Sequence, residues 1–105
     1  MAGVSVKDGQ LHLIEGKRFS DIDLILIRDG RLTIGEVKSD TNGFSQNDFA
    51  KLRAIALDLR PDELIVAAVG EKWEPKINEQ IGILSNELAK AEIVLTPLLL
   101  QWWSD

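Results

Sequence analysis

Residues 21–38 read D-I-D-L-I-L-I-R-D-G-R-L-T-I-G-E-V-K, two largely aliphatic segments on either side of an Asp-Gly pair at 29–30. Asp-Gly between two such segments is a strong signal for a two-residue hairpin turn, because a type I′ turn needs a positive φ at both positions. A two-residue turn makes Arg28 face Arg31, and this pairing fixes the register of both strands. Residues 22–27 are almost continuously aliphatic, which predicts a central strand covered on both faces.

The predicted register places charged side chains opposite one another at the open end of this hairpin. Asp23 faces Glu36 and Asp21 faces Lys38, and all four side chains point to one face because side chains alternate along a strand. Directly opposed residues have Cβ atoms about 4.5–5.5 Å apart. Two carboxylates at that spacing repel each other unless one is protonated or a cation binds both.

This arrangement makes Asp23 and Glu36 candidate ligands of a hard divalent cation, Mg²⁺ or Mn²⁺. Lys38 would lie beside the ion, where it could hold the attacking water or stabilise charge in a transition state. The alternative is a salt-bridge cluster at the solvated end of the sheet. We favour the metal site because the rest of this face is aliphatic. The prediction depends on the register, since a bulge or a longer turn would move Asp23 to the other face.

The pattern of the whole chain predicts an α/β fold. A second Asp-Gly pair, at 8–9, predicts an earlier hairpin, in which His12 faces Ser5. From residue 45 onward, helical spacing alternates with short apolar runs. The elements predicted there are a helix capped by Ser45 and Asp48 and stopped by Pro61, a strand at 64–69, a helix from Pro75, a strand at 93–95 and a short helix capped by Thr96-Pro97. The expected architecture is therefore N-terminal β-hairpins followed by βαβαβ, a mixed β-sheet with flanking helices.

Length and composition limit the classes of function. The 105 residues fit a single domain, 1–105. With no cysteine and one histidine, the chain cannot form a disulfide, a thiolate metal site or a site with several histidine ligands. Its net charge of −5 argues against strong nonspecific binding to nucleic acid. No apolar run has the length of a membrane helix and no signal peptide is evident, so we expect a cytoplasmic protein with no membrane contact.

The stretch F-S-D-I-D-L-I-L-I-R-D-G-R-L-T-I-G-E-V-K-S, residues 19–39, resembles the PD-(D/E)XK nuclease superfamily with its restriction-endonuclease-like core. The resemblance extends from Phe19 to about Leu95. It implies that Asp23, Glu36 and the backbone carbonyl of Val37 bind Mg²⁺ (or Mn²⁺) and that Lys38 is catalytic. The implied reaction is hydrolysis of DNA phosphodiesters. Asp21, as an additional acid, and Gln46, near the substrate, are auxiliary candidates.

Two departures from the family pattern leave a second interpretation open. The family core normally opens with a helix that often supplies a further acid, whereas this chain has no predicted helix before Val4. Glu15 and Asp21 are the nearby acids that could substitute. The chain is also acidic, so we expect it to bind DNA weakly alone. The alternative is a catalytically inactive nuclease-like scaffold or protein-interaction domain, as a fragment or a subunit of a larger complex.

The segment Leu98–Trp103 is apolar almost all round, as L-L-L-Q-W-W. Packing on one side cannot bury such a segment. We expect one face to cover the core and the rest to contact another chain, either a second copy in a homodimer, which we favour, or a partner protein.

Overall fold

The computed structural model describes the backbone of residues 2–7, 10–15 and 23–101, and the side chains of residues 23–101. These residues form six strands and two helices. In chain order they are β1 (Ala2–Lys7), β2 (Gln10–Glu15), β3 (Leu24–Arg28), β4 (Arg31–Lys38), α1 (Gln46–Leu59), β5 (Glu63–Val69), α2 (Pro75–Ala89) and β6 (Val94–Leu100). The predicted succession of two hairpins and then βαβαβ is confirmed.

Strands β3 to β6 form a mixed sheet in the order β3-β4-β5-β6. β3 is antiparallel to β4, whereas β4, β5 and β6 are parallel to one another. α1 connects β4 to β5, and α2 connects β5 to β6. β1 and β2 pair with each other, with Ser5 facing His12 as predicted, and β1 lies against β3. The α/β class and the mixed sheet are therefore as expected.

The β3–β4 hairpin has the predicted turn and register. Asp29 and Gly30 have φ values of 52° and 77°, the two positive values that a type I′ turn requires. Arg28 pairs with Arg31, and the register continues without a bulge to Leu24 opposite Gly35. The local sequence alone thus determined which residues of β3 and β4 face each other.

One face of the four-stranded sheet carries the hydrophobic core. Right-handed crossovers between neighbouring parallel strands place both helices on that face. Alternate strand residues that point to it are buried, as are the apolar stripes of the helices. The main core residues are Ile25, Ile34, Leu64, Val66 and Leu95 from the sheet, Phe49, Leu52 and Ala56 from α1, and Ile77, Ile81, Leu84 and Leu88 from α2.

The helix boundaries agree with the capping signals. Ser45 caps α1 in a capping box with Asp48, and Arg60 ends the helix in the left-handed conformation directly before Pro61. Pro75 occupies the first turn of α2. Because β4 and β5 are parallel and each is followed by a helix, both helices begin at the edge of the sheet where these strands end. Glu36 and Lys38 lie at this edge.

The prediction for the C-terminal segment was wrong. A helix was expected from Thr96-Pro97, but β6 runs through both residues and pairs with β5 as far as Leu100. Parallel pairing with a buried strand outweighs the local helix signal, and proline is tolerated because β6 borders the sheet within the described residues. Leu98–Leu100 are thus strand residues, while Trp102 and Trp103 lie outside the described part of the chain.

The prediction of β3 as a central strand was also wrong. Among the described residues it borders the hydrogen-bonded sheet, because α1 carries the chain to the other side of β4. Ile25 is buried on the face that the helices cover, whereas Leu24 and Leu26 on the opposite face are half-buried. The aliphatic run therefore reflects one face that is buried at Ile25 and half-buried at Ile27, and an opposite face that is half-buried.

Candidate functional site

Asp23 lies immediately before β3, at a bend, and is held against β4 by two hydrogen bonds. Its N–H donates to the Gly35 carbonyl at 3.1 Å, and its Oδ2 accepts the N–H of Val37 at 3.2 Å. The Asp23 carboxylate is thus the hydrogen-bond acceptor that the main-chain N–H of Val37 in β4 finds on the side of β3. Because the N–H and C=O of one strand residue point to the same side, the Val37 carbonyl also points towards β3 and Asp23.

Glu36 and Lys38 are two positions apart on β4 and point to the same face, the one that bears the core. Lys38 Nζ lies 3.2 Å from Glu36 Oε1 and forms an ion pair with it. The next two residues towards the turn on this face are Ile34, fully buried, and Leu32, half-buried. The charged groups therefore lie where an aliphatic face meets solvent.

Asp48 adds a third carboxylate, for which the sequence pattern predicts only a role in helix capping. Its Oδ2 accepts the Ser45 N–H at 2.8 Å and lies 3.7 Å from Lys38 Nζ. The capping motif fixed the side chain at the start of α1. Its approach to Lys38 depends on how α1 packs over the sheet, so no spacing of residues along the chain predicts it directly.

Burial is the main cause of the raised pKa of Glu36, which lies above its ordinary value of 4.5. The hydrogen bond and charge of Lys38 oppose this rise, while the negative charges of Asp48 and Asp23 add to it. Asp23, Glu36 and Asp48 are therefore close enough to interact electrostatically. A cation near Glu36 would relieve the repulsion among the three carboxylates.

The pKa values of Lys38 and Asp48, which form an ion pair, shift in opposite directions. Burial alone lowers the pKa of Lys38, but its hydrogen bond to Glu36 and the nearby carboxylates raise it above the ordinary value. Burial alone raises the pKa of Asp48, but hydrogen bonds with Ser45 and the charge of Lys38 bring it below the ordinary value. Lys38 is thus an ammonium ion and Asp48 a carboxylate at neutral pH.

Three carboxylates and one ammonium give this acid cluster, defined as Asp23, Glu36, Lys38 and Asp48, a formal charge of −2 at neutral pH. A divalent cation would neutralise it. The residues with described side chains contain no group of three His, Cys, Asp or Glu arranged to hold a metal ion. Asp23, Glu36 and the Val37 carbonyl would thus provide a partial set of hard oxygen ligands, completed by water or a phosphate, as is usual for Mg²⁺.

Gln46, one of the two auxiliary residues predicted from the sequence, is not part of this cluster. Asp21 lies outside the described residues, and so does the side chain of Glu15. Gln46 is exposed in the first turn of α1 and lines a neighbouring cavity between the two helices. The helices in the described part of the chain are too short or too polar to cross a membrane.

No protein-family model, curated protein or solved structure gives a significant match to this chain. The function of the protein is therefore inferred from the residues and geometry of the site.

Proposed function

We propose that this protein is a metal-dependent nuclease that hydrolyses DNA phosphodiesters, built on a restriction-endonuclease-like core. The observation that carries the proposal is the acid cluster at the end of the aliphatic sheet face. Asp23, directly before β3, accepts the N–H of Val37 in β4, and Lys38 lies 3.2 Å from Glu36. Two hard oxygen ligands can hold a metal ion that assists phosphodiester hydrolysis, and an adjacent ammonium can stabilise negative charge in the transition state.

The proposed roles follow from the chemistry of each group. Asp23, Glu36 and the Val37 carbonyl would hold Mg²⁺ or Mn²⁺, and the ion would supply Lewis-acid chemistry for activating water and polarising the phosphate. Lys38, kept protonated by its acidic neighbours, orients the water or stabilises the negative charge of the transition state. Asp48 positions the Lys38 ammonium by an ion pair at 3.7 Å.

The topology supports the restriction-endonuclease-like part of the proposal. An antiparallel hairpin carries the acid pair, a helix follows the Glu-Val-Lys strand, and a parallel strand returns beside it. This order brings the Glu-Val-Lys segment and the start of α1 to one edge of the sheet. The side chains of Lys38 and Glu36 keep 29% and 15% of their surface exposed, so a phosphate can reach them.

Cleavage of single-stranded and duplex DNA with Mg²⁺ or Mn²⁺ tests the proposal. We expect EDTA to stop the reaction. Glu36→Gln and Lys38→Ala should each lower the rate by at least about 10²-fold while the circular dichroism spectrum is unchanged. Glu63→Gln is the matched control, because Glu63 lies on the opposite sheet face, where it accepts hydrogen bonds from the Thr33 and Thr96 hydroxyls. Equal cleavage by all variants would contradict the assigned site.

One observation favours a second function, that of a non-catalytic interaction domain. β6 exposes Val94, Leu98, Leu99 and Leu100, a set of apolar side chains that a partner protein could cover. Calorimetry with Mn²⁺ separates the two functions. A nuclease should bind Mn²⁺ with an affinity that Glu36→Gln abolishes and Glu63→Gln preserves, whereas a scaffold should show no such binding.

A further inference from the structure

A cavity of about 830 Å³ lies between the starts of α1 and α2, beside the acid cluster. Two of its lining residues connect it to that cluster. The Phe44 ring centroid is 5.8 Å from Lys38 Nζ, and Ser45 exchanges two hydrogen bonds with Asp48. The volume lies within the range of small-molecule sites, about 300–1,000 Å³. A group bound in the cavity would therefore be adjacent to a phosphate bound at the acid cluster.

The polar lining of the cavity favours a neutral ligand. The charged residues are two carboxylates and one ammonium, which disfavour a second phosphate: Glu74, Glu79 and Lys76. Three amide side chains accompany them, and each offers both a donor and an acceptor: Asn42, Gln46 and Gln80. This combination is suited to a neutral group that itself carries donors and acceptors.

The apolar lining is suited to a flat ring. Phe44 and Phe49 both line the cavity, and their ring centroids lie 5.4 Å apart at an angle of 33°. Both rings are almost fully buried, so their positions are fixed by the core. A planar ligand can contact the small part of each ring that remains exposed in the cavity while its edge meets the amides. Nucleobases have this combination of an apolar face and a hydrogen-bonding edge.

We infer that this cavity binds the base of a nucleotide in single-stranded DNA whose phosphate lies at the acid cluster, an inference that rests on the proposed nuclease function. A base within a duplex cannot enter such a cavity unless it is extruded. Asn and Gln form paired hydrogen bonds with adenine, and carboxylates accept from exocyclic amino groups, which thymine lacks. The cavity therefore selects adenine over thymine in a single strand.

Fluorescence anisotropy with labelled oligo-dA and oligo-dT of equal length, and with their duplex, tests this inference. The measurements use the wild-type protein at low salt with Ca²⁺, a hard cation that replaces Mg²⁺, and gels verify that the DNA is intact. We expect oligo-dA to bind about tenfold more tightly than oligo-dT, as one lost paired contact predicts. The duplex should bind more weakly than either strand.

Two variants that each truncate an amide side chain of α2 test whether the preference for oligo-dA arises in the cavity. Gln80→Ala should remove most of the preference for oligo-dA, whereas Asn86→Ala, which changes an exposed amide on the same helix outside the cavity, should leave it intact. Alanine is favourable in helices, so both variants should fold. Equal binding of the two oligonucleotides, absence of binding, or a preference that survives Gln80→Ala would overturn the inference.

The cleavage assay distinguishes failure of the base-binding inference from failure of the proposed nuclease function. Metal-dependent cleavage that shows no base preference and does not depend on Gln80 would overturn the cavity assignment alone. A Gln80-dependent preference for oligo-dA without any cleavage would overturn the nuclease function and retain a base-binding cavity.

Discussion

Glu36 differs from an ordinary surface carboxylate, because burial raises its pKa. It is partly buried on the aliphatic face of the sheet, near two other carboxylates, and its one described cationic partner is Lys38. The sequence alone predicted the opposition of Asp23 and Glu36, since both flank a two-residue turn at equal distance. It did not predict Asp48, because α1 must first pack on the sheet before that side chain approaches Lys38.

The raised pKa of Glu36 predicts how stability depends on pH without metal. The folded state holds the Glu36 proton more tightly than the unfolded chain, where the pKa is near 4.5. The contribution of Glu36 to the free energy of unfolding is therefore greatest below pH 4.5 and falls as the pH rises through the folded-state pKa.

Urea unfolding of wild type and Glu36→Gln between pH 4 and pH 7, with EDTA present, measures this effect. We expect the difference in unfolding free energy, wild type minus variant, to decrease as the pH rises and then to become constant. Lys38 titrates far above this range and does not contribute to the change. A difference that is constant or increases with pH would contradict the prediction.

At the scale of elements, the close approach of β4 and β5 positions Glu36. Gly35 precedes Glu36 and pairs with Ile65, and a Cβ at Gly35 would lie 2.8 Å from the Ile65 carbonyl oxygen. The backbone atoms there cannot move aside without separating the two strands. The sequence marks this position only as a glycine within a strand pattern, and the neighbour that requires it is 30 residues away.

We therefore expect Gly35→Ala to lower the free energy of unfolding by about 1–3 kcal/mol. Gly82→Ala is the control, since Gly82 lies in α2 and a Cβ there meets no atom within 4 Å. Gly82→Ala should raise the free energy of unfolding by about 0.5–1 kcal/mol, because alanine loses less backbone entropy than glycine when it folds into a helix. Urea unfolding of the two variants should give changes of opposite sign, and equal changes would argue against the tight strand contact.

At the scale of the whole molecule, β6 and the charge of the chain determine which partners it can meet. β6 borders the described sheet with Val94 and Leu98–Leu100 exposed, whereas the chain carries a net charge of −5. The acidic surface predicts weak, salt-sensitive binding to DNA. The apolar strand predicts contact with another protein surface, and Pro97 in the middle of β6 disfavours simple extension of the sheet by a further strand.

We expect a homodimer in which side chains of β6 contact the partner copy. Light scattering at micromolar concentration should give the dimer mass for the wild type, and Leu98→Asp should shift it towards the monomer. Ile83→Asp is the control, because Ile83 is an exposed aliphatic residue on α2, away from β6. A wild-type monomer, or equal dissociation by both variants, would contradict this interface.

The sequence by itself determined the features that depend on neighbours along the chain. The Asp29-Gly30 turn set the register of β3 and β4 from Arg28 opposite Arg31 to Leu24 opposite Gly35, and the Ser45–Asp48 capping box set the start of α1. Such signals are local, because a turn or a cap needs only a few consecutive residues to satisfy its hydrogen bonds and φ values. Only the tertiary structure decided that residues 96–100 continue a strand, that β3 borders the described sheet and that Asp48 reaches Lys38. Those outcomes depend on burial and pairing between segments far apart in the chain, and they become favourable only once the sheet and helices have packed together.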